Sequence, residues 1–276
     1  MLATPANLMS RVHTLPAVPK VVQELIATFD QPQIDLTRIA RLVNTDPVIA
    51  AKVLRLANSA YYRRSRTVTS VNDAIVFMGL DALRMLVVGA GFAASVKVPA
   101  SLGRDLFWRY CLHTAVSARY FAGQCGEDAQ AAFTAGLLHA IGEPLMVMAM
   151  EEELREVERQ TRFFDRERAV CERAQVGFAY SDLGAELAES WRFPPGMVDA
   201  IRHAPDPLYA EDFSRPAACV YLGSHFAAGY ERHDSADTSL MTLDIRVLDH
   251  LGLELAAAEK MPPVNKLASG LEELVA

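Results

Sequence analysis

The chain has 276 residues, of which 51% are hydrophobic and 22% are charged, and its formal net charge is −7. This balance is typical of a folded globular protein and argues against an intrinsically disordered one. The acidic charge argues against broad, non-specific binding to nucleic acid. The length fits one large domain or two small ones.

Cysteine usage and the absence of a long apolar run bear on where the protein works. The four cysteines are Cys111, Cys125, Cys171 and Cys219. They form no CxxC pair, so we interpret them as reduced, mostly buried thiols of a cytoplasmic protein. The first twenty residues lack the apolar core of a signal peptide. Because Arg84 and His139 interrupt the longest apolar stretches, we expect no membrane insertion.

Apolar residues recur at helical spacing almost throughout, and alternating strand patterns are nearly absent, which predicts an all-α fold. The predicted helices cover residues 15–29, 36–43, 48–60, 71–78, 82–88, 105–123, 129–141, 151–160, 166–177, 181–192, 195–203 and 215–230. Asp46 followed by Pro47 is typical of a helix start. Ser70 and Asp73 form a capping box, and Asp81 is the predicted cap of the next helix.

The segment 99–103 is predicted to be a linker, which divides the chain into two helical lobes, 1–100 and 101–276. Residues 234–239 are small and polar and predict a mobile loop. Residues 264–275 carry apolar side chains at helical spacing, so this stretch packs either on its own chain or in a dimer. The oligomeric state therefore stays open.

Residues 35–60 predict helix, short turn, helix, and a basic run containing Arg63, Arg64 and Arg66 follows. A DNA-binding protein would place the second helix in a groove and the arginines on phosphates. That helix offers few side chains able to read bases. We therefore favour an ordinary antiparallel helix pair with a solvated basic turn, and a basic surface for a protein or a nucleotide phosphate is the intermediate interpretation.

The most informative segment is 135–143, Ala-Gly-Leu-Leu-His-Ala-Ile-Gly-Glu. It resembles the central motif of the HD phosphohydrolases, in which consecutive His and Asp supply an imidazole and a carboxylate to a metal-centred hydrolytic site. His139 is present in this chain, but Ala140 stands at the Asp position. Glu143 stands where the family often has Lys, and its charge would repel a phosphate.

Further segments, taken in order, resemble the HDOD family, the HD-related output domain, over about residues 14–230. They are LPAVP at 15–19, IARLVNTDP at 39–47, KVLRLANSAYY at 52–62, AIVFMGL at 74–80, FW at 107–108, 177–184, and WRFP at 191–194. The resemblance implies an N-terminal helical bundle followed by an HD-like helical lobe.

The resemblance also implies where the other metal ligands of an active relative would stand. The expected His after Trp108 falls on Tyr110, with His113 one turn later as the weaker candidate. The expected His after Gly177 falls on Tyr180, and the expected Asp falls on Ser224, which His225 adjoins. Phenols and a hydroxyl are poor substitutes for imidazole and carboxylate ligands. We therefore expect no bound metal, no cofactor and no catalytic residue.

We interpret His139 as a core histidine that is hydrogen-bonded to the backbone or to Tyr110, Tyr180 or Ser224. His113, His203 and His225 are candidates for a cleft beside it, because imidazoles gathered at one point offer an alternative metal site.

Three functions remain in competition. The resemblance implies a non-catalytic regulator or adaptor of bacterial signal transduction, with protein partners such as cyclic-dinucleotide enzymes or sensor kinases, in cyclic-dinucleotide, motility or stress signalling. The alternatives are a hydrolase of nucleotides or phosphodiesters with a rearranged metal site, and a DNA-binding regulator acting through residues 35–66. We do not expect nucleic acid as a partner.

Overall fold

The computed structural model describes residues 4–11, 18–28, 35–59, 62, 67–210 and 212–275. Throughout these ranges the regular structure is helical and no strand occurs, so the predicted all-α class is confirmed. The N-terminal helices are α1 (Pro5–Arg11), α2 (Lys20–Ile26), α3 (Leu36–Val43), α4 (Pro47–Ala57), α5 (Val71–Met78) and α6 (Leu80–Ser95). The helix α1 was not predicted, and residues 15–17 and 29 of the first predicted helix lie outside the described ranges.

Side-chain caps determine where several of these helices begin. Asp46 accepts hydrogen bonds from the backbone N–H groups of Val48, at 3.0 Å, and Ile49, at 3.1 Å, just before α4. Ser70 accepts one from the N–H of Asp73 at 3.0 Å, as the capping box predicts. The prediction that Asp81 caps the next helix is wrong. Gly79, with φ of 87°, precedes α6, and Asp81 lies within its first turn.

The C-terminal part begins with the longest helix, α7. Its helices are α7 (Arg104–Cys125), α8 (Ala129–Leu138), α9 (Gly142–Ala149), α10 (Glu151–Gln160), α11 (Arg168–Val176), α12 (Tyr180–Ser190), α13 (Pro195–His203), α14 (Arg215–Arg232), α15 (Ala236–Met241), α16 (Ile245–Leu251), α17 (Leu255–Glu259) and α18 (Val264–Ala268), followed by the 3-10 helix Glu272–Leu274.

Two predictions about these elements are wrong. The helix predicted to run to Ile141 ends at Leu138, and after a turn at 139–141 Gly142 begins α9 instead of ending a helix. The segment 234–239, predicted to be a loop, contributes most of α15, which Ser235 caps. The stretch 264–275 is broken into α18 and the 3-10 helix.

The helices α7, α8 and α14 pack against one another through small residues. A Cβ atom at Gly136 of α8 would lie 2.8 Å from the Cα of Ala115 in α7. A Cβ atom at Gly223 of α14 would lie 2.5 Å from the carbonyl oxygen of Thr114. Because there is no room for a side chain at either point, these backbones approach closely and form the centre of the core.

The predicted linker at 99–103 lies in the non-helical segment between α6 and α7. The C-terminal end of the chain returns to the N-terminal helices, since the Leu274 side chain occupies the space beside Gly89 in α6. The division into lobes at about residue 100 remains a prediction.

Within the part of the chain that the structure describes, one stretch, 129–149, is long and apolar enough to span a membrane by length and composition. The turn at 139–141 divides it into α8 and α9, and 89% of its apolar window is buried inside the protein. These are features of core helices.

Candidate functional site

A cavity of about 420 Å³ opens among α7, α12, α14, α15 and the segment 164–167. Tyr110, Tyr180 and Ser224, three of the positions at which an active relative would hold a metal, line it together. His225 of α14 also faces it. The structure thus brings together Tyr110 and Ser224, which lie 114 positions apart in the sequence. The volume of the cavity lies in the range of small-molecule sites.

His139 lies behind this cavity. It is only 1% exposed, its ring centroid is 5.2 Å from that of Tyr110, and its Nδ1–H donates to the carbonyl oxygen of Gly136 at 2.7 Å. Its Nε2 atom has no hydrogen-bond partner among the described residues. His139 is therefore buried in the core and bonded to the backbone through one of its two ring nitrogens, and Ala140, also 1% exposed, adds only a methyl group.

A buried network of ion pairs, which the sequence analysis missed, explains why an acidic residue stands at position 143. Arg168 of α11 donates to Glu143 through Nη2 and, through Nε, to Glu172 at 2.7 Å. The other oxygen of Glu172 accepts the backbone N–H of Tyr180 at 2.7 Å. Glu143 and Glu172 are both fully buried. The expectation that Glu143 repels a phosphate is therefore wrong, because its charge is buried against a guanidinium and does not face the cavity.

The network fixes the start of α12 and so places Tyr180 at the cavity. The sequence signal that could have revealed part of this network is the four-residue spacing of Arg168 and Glu172 on one helix. Glu143 is 25 residues from Arg168 along the chain, and no local pattern links them.

The phenols of Tyr110 and Tyr180 are not suited to proton transfer near neutral pH. Burial raises the pKa of Tyr110 well above its ordinary value, and burial likewise raises the pKa of Tyr180. His225 is held by a hydrogen bond from Nε2–H to the carbonyl oxygen of Ser239 at 2.7 Å, and burial lowers its pKa. These groups are uncharged at neutral pH and supply shape and hydrogen bonds.

The predicted grouping of histidines is wrong for two of its members. His113 is 3% exposed and lies 3.7 Å from a carboxylate oxygen of Glu231, with its ring 4.7 Å from that of Tyr230. Residues three apart on a helix are offset by about 60°, which turns His113 away from the cavity that Tyr110 lines. His203 lies near the surface, 3.5 Å from Asp199 on the same helix. Neither of them lines the cavity with His225.

The donor set does not fit the metal of an active HD phosphohydrolase. Tyr110, Ala140, Tyr180 and Ser224 offer no imidazole or carboxylate at the ligand positions, so of the expected ligands only His139 remains, with its Nε2 atom unpartnered among the described residues. Over the ranges that the structure describes, no three His, Cys, Asp or Glu side chains are grouped so as to hold a metal ion. We therefore derive no metal-dependent step for this site.

Charges at the mouth of the cavity are internally balanced. Arg232 pairs with Asp234 at 2.9 Å and approaches Asp165 at 3.9 Å. Arg166 pairs with Asp244 at 3.4 Å. The rim therefore presents no concentrated positive field of the kind that binds phosphates.

The basic run predicted as an interaction surface, Arg63, Arg64 and Arg66, lies outside the described residues. Its role stays a prediction.

The HDOD domain family matches residues 15–207 of the chain. An uncharacterised protein of Treponema pallidum is 25% identical over 212 residues, covering 73% of this chain and 40% of that protein. The cyclic di-GMP phosphodiesterase CdgJ of Vibrio cholerae is 34% identical over 67 residues, covering 24% of this chain and 16% of that protein. The chain thus spans well under half the length of these two curated relatives.

A crystal structure of a protein from Shewanella amazonensis, whose name provisionally assigns it to the phosphohydrolases, has the same fold. It is 28% identical, with a TM-score of 0.77, covering 97% of this chain and 96% of that one. The helical fold is that of an HD-related domain, and the match over residues 15–207 shows that the chain belongs to the HDOD family.

The buried imidazole of His139 should leave a measurable pH dependence. Burial lowers its pKa from 6.5 to about 4, so below pH 6.5 the unfolded chain binds a proton that the folded chain does not. The contribution of His139 to the free energy of unfolding is complete above pH 6.5 and decreases as the pH falls below that value. Between pH 7 and pH 5 the wild type should lose about 2 kcal/mol more unfolding free energy than His139→Gln, measured by urea denaturation. Parallel pH profiles of the two proteins would contradict this.

Proposed function

We propose that the protein is a non-catalytic regulator or adaptor of bacterial signal transduction, acting through contacts with other proteins. The observation that carries the proposal is a complete HD-like fold whose ligand positions hold Tyr110, Ala140, Tyr180 and Ser224. A hydrolytic metal site needs several imidazole and carboxylate ligands converging on one point, and this cavity does not offer them. Membership of the HDOD family supports the signalling role.

The partners that best fit this role are cyclic-dinucleotide enzymes or sensor kinases, in cyclic-dinucleotide, motility or stress signalling. The name of CdgJ supports the first class, because that relative shares a matched segment with this chain. We place the protein in the cytoplasm, because that reducing compartment keeps free cysteines such as these four in the thiol form. The basic run Arg63, Arg64 and Arg66 is the surface to test first, since an arginine cluster suits an acidic partner.

Metal analysis and a turnover assay test the non-catalytic part of the proposal. The purified chain, incubated with Mn²⁺ or Fe²⁺ and then desalted, should retain less than stoichiometric metal by elemental mass spectrometry. It should hydrolyse neither cyclic dinucleotides nor nucleotides above the rate of a His139→Ala control. Stoichiometric metal together with turnover that His139→Ala abolishes would overturn the proposal.

That opposite result would establish the second candidate, a phosphodiester or nucleotide hydrolase with a rearranged site. The name of the Shewanella relative is the observation that favours it, since that protein shares the fold over nearly its whole length.

Affinity capture tests the adaptor role itself. The tagged chain should retain a cyclic-dinucleotide enzyme or a sensor kinase from its native host, and neutralising Arg63, Arg64 and Arg66 together should weaken that retention. Neutralising Arg155 and Arg159, which lie on the exposed face of α10, is the matched control.

A further inference from the structure

Two cysteines face each other where α7 and α14 meet, away from the cavity. The Sγ atoms of Cys125 and Cys219 are 3.7 Å apart, although 94 positions separate the residues in the chain. Cys125 is the last residue of α7 and is half-buried, whereas Cys219 is fully buried within α14. We call these two residues the thiol pair.

Close approach of the two helices makes this pairing possible. The Cβ atom that Gly223 lacks would lie 2.5 Å from the carbonyl oxygen of Thr114 and 2.8 Å from the backbone nitrogen of Ala118. Cys219 is one turn along α14 from Gly223, and Cys125 is two turns along α7 from Ala118, so both lie on the faces that touch. A disulfide needs nearby backbones as well as nearby sulfurs, and tightly packed helices provide them.

The surroundings of the two thiols differ in a way that assigns their roles. The C-terminal end of a helix disfavours a thiolate at Cys125. Against this, a hydrogen bond from the Cys219 thiol and the nearby Arg215 guanidinium lower the pKa of Cys125, and Arg215 also donates to the Cys125 carbonyl oxygen at 3.0 Å. The shared hydrogen bond and burial raise the pKa of Cys219. Cys125 therefore ionises first and is the one that solvent reaches.

We propose that the thiol pair is an oxidative modification site, in which Cys125 reacts with a hydroperoxide and Cys219 resolves the product to a reversible disulfide between α7 and α14. The Cys125 thiolate attacks one peroxide oxygen, the O–O bond breaks, and the departing hydroxide takes up a proton to become water. The sulfur of Cys219 then attacks the resulting sulfenic sulfur, the S–O bond breaks, and water leaves with the thiol proton. Two cysteines lose two electrons and the hydroperoxide gains them.

Peptide mapping after peroxide treatment tests the proposal on the full chain. After brief exposure to hydrogen peroxide and alkylation, mass spectrometry without reductant should find a peptide that joins Cys125 to Cys219, while Cys111 and Cys171 remain alkylated. Dithiothreitol should reverse the link. Because the link closes a loop between distant residues, the oxidised chain should melt at a higher temperature than the reduced chain.

Variants separate the two roles. In Cys219→Ala, with the fold checked by circular dichroism, a sulfenic-acid probe such as dimedone should label Cys125 persistently. Cys125→Ser should abolish the link, and Cys171→Ser, which alters a partly exposed cysteine outside the thiol pair, should leave it unchanged. Full alkylation of Cys125 and Cys219 after peroxide would overturn the proposal, and so would oxidation that produces only links between chains.

Discussion

Replacing Arg168 with leucine is expected to lower the free energy of unfolding by about 3–5 kcal/mol at neutral pH, because it leaves two buried carboxylates without their cation. Arg168 is 1% exposed and contacts both Glu143 and Glu172. Urea denaturation measures the change. The matched control is Arg155→Leu, which removes an exposed pair with Glu152 on the surface of α10 and should cost no more than about 1 kcal/mol.

The pH dependence of Arg168→Leu tests whether a buried carboxyl group is responsible. Burial raises the pKa of Glu143 well above its ordinary value, and Arg168 opposes that rise. A carboxyl group with a higher pKa in the folded chain stabilises the fold at low pH, and that contribution is lost as the pH rises through the folded pKa. Removing Arg168 should raise the pKa of Glu143 further and so enlarge the stability that is lost as the pH rises. The deficit of the variant should thus be larger at pH 8 than at pH 5, and a deficit that grows on acidification would contradict this assignment.

The same network shows where sequence reasoning reaches its limit. Helix caps such as Asp46 and Ser70 were predictable, because a cap acts within three residues of itself. The turn at 139–141 was not, since the residues on either side are apolar all round and carry no periodicity to reveal a break. The partner of Glu143 was also hidden, because Arg168 reaches it only through tertiary packing.

The residues of the candidate site also divide into those that the sequence placed correctly and those that it did not. Resemblance to a family placed Tyr110, Tyr180 and Ser224 at corresponding positions, and the structure shows them around one cavity. Residue type alone misplaced His113, whose helix position turns it toward Glu231. An imidazole is a functional candidate only where the geometry of its helix directs it to the site, and a sequence gives that direction only approximately.

Replacing Gly142 with alanine should destabilise the protein by about 3 kcal/mol, because the added methyl group meets backbone atoms that cannot move aside. Its Cβ would lie 2.0 Å from the carbonyl oxygen of Tyr180 and 2.7 Å from the nitrogen of Gly184. Thermal and chemical denaturation measure the loss. Gly123→Ala is the control, since it also lies in a helix but has nothing within 4 Å of the new atom, and it should gain about 0.5–1 kcal/mol.

The comparison of Gly142→Ala with Gly123→Ala separates packing from catalysis in the His-Ala-Ile-Gly segment. If Gly142 were kept only as the remnant of a metal motif, its replacement would cost no more than that of Gly123. A large loss confined to Gly142→Ala shows that the glycine brings α9 against α12, and thus holds Tyr180 at the cavity. Equal stability of the two variants would contradict this role. A large loss, in contrast, would mean that the motif retains its glycine for the packing of the fold, in a chain whose carboxylate ligand positions hold Ala140 and Ser224.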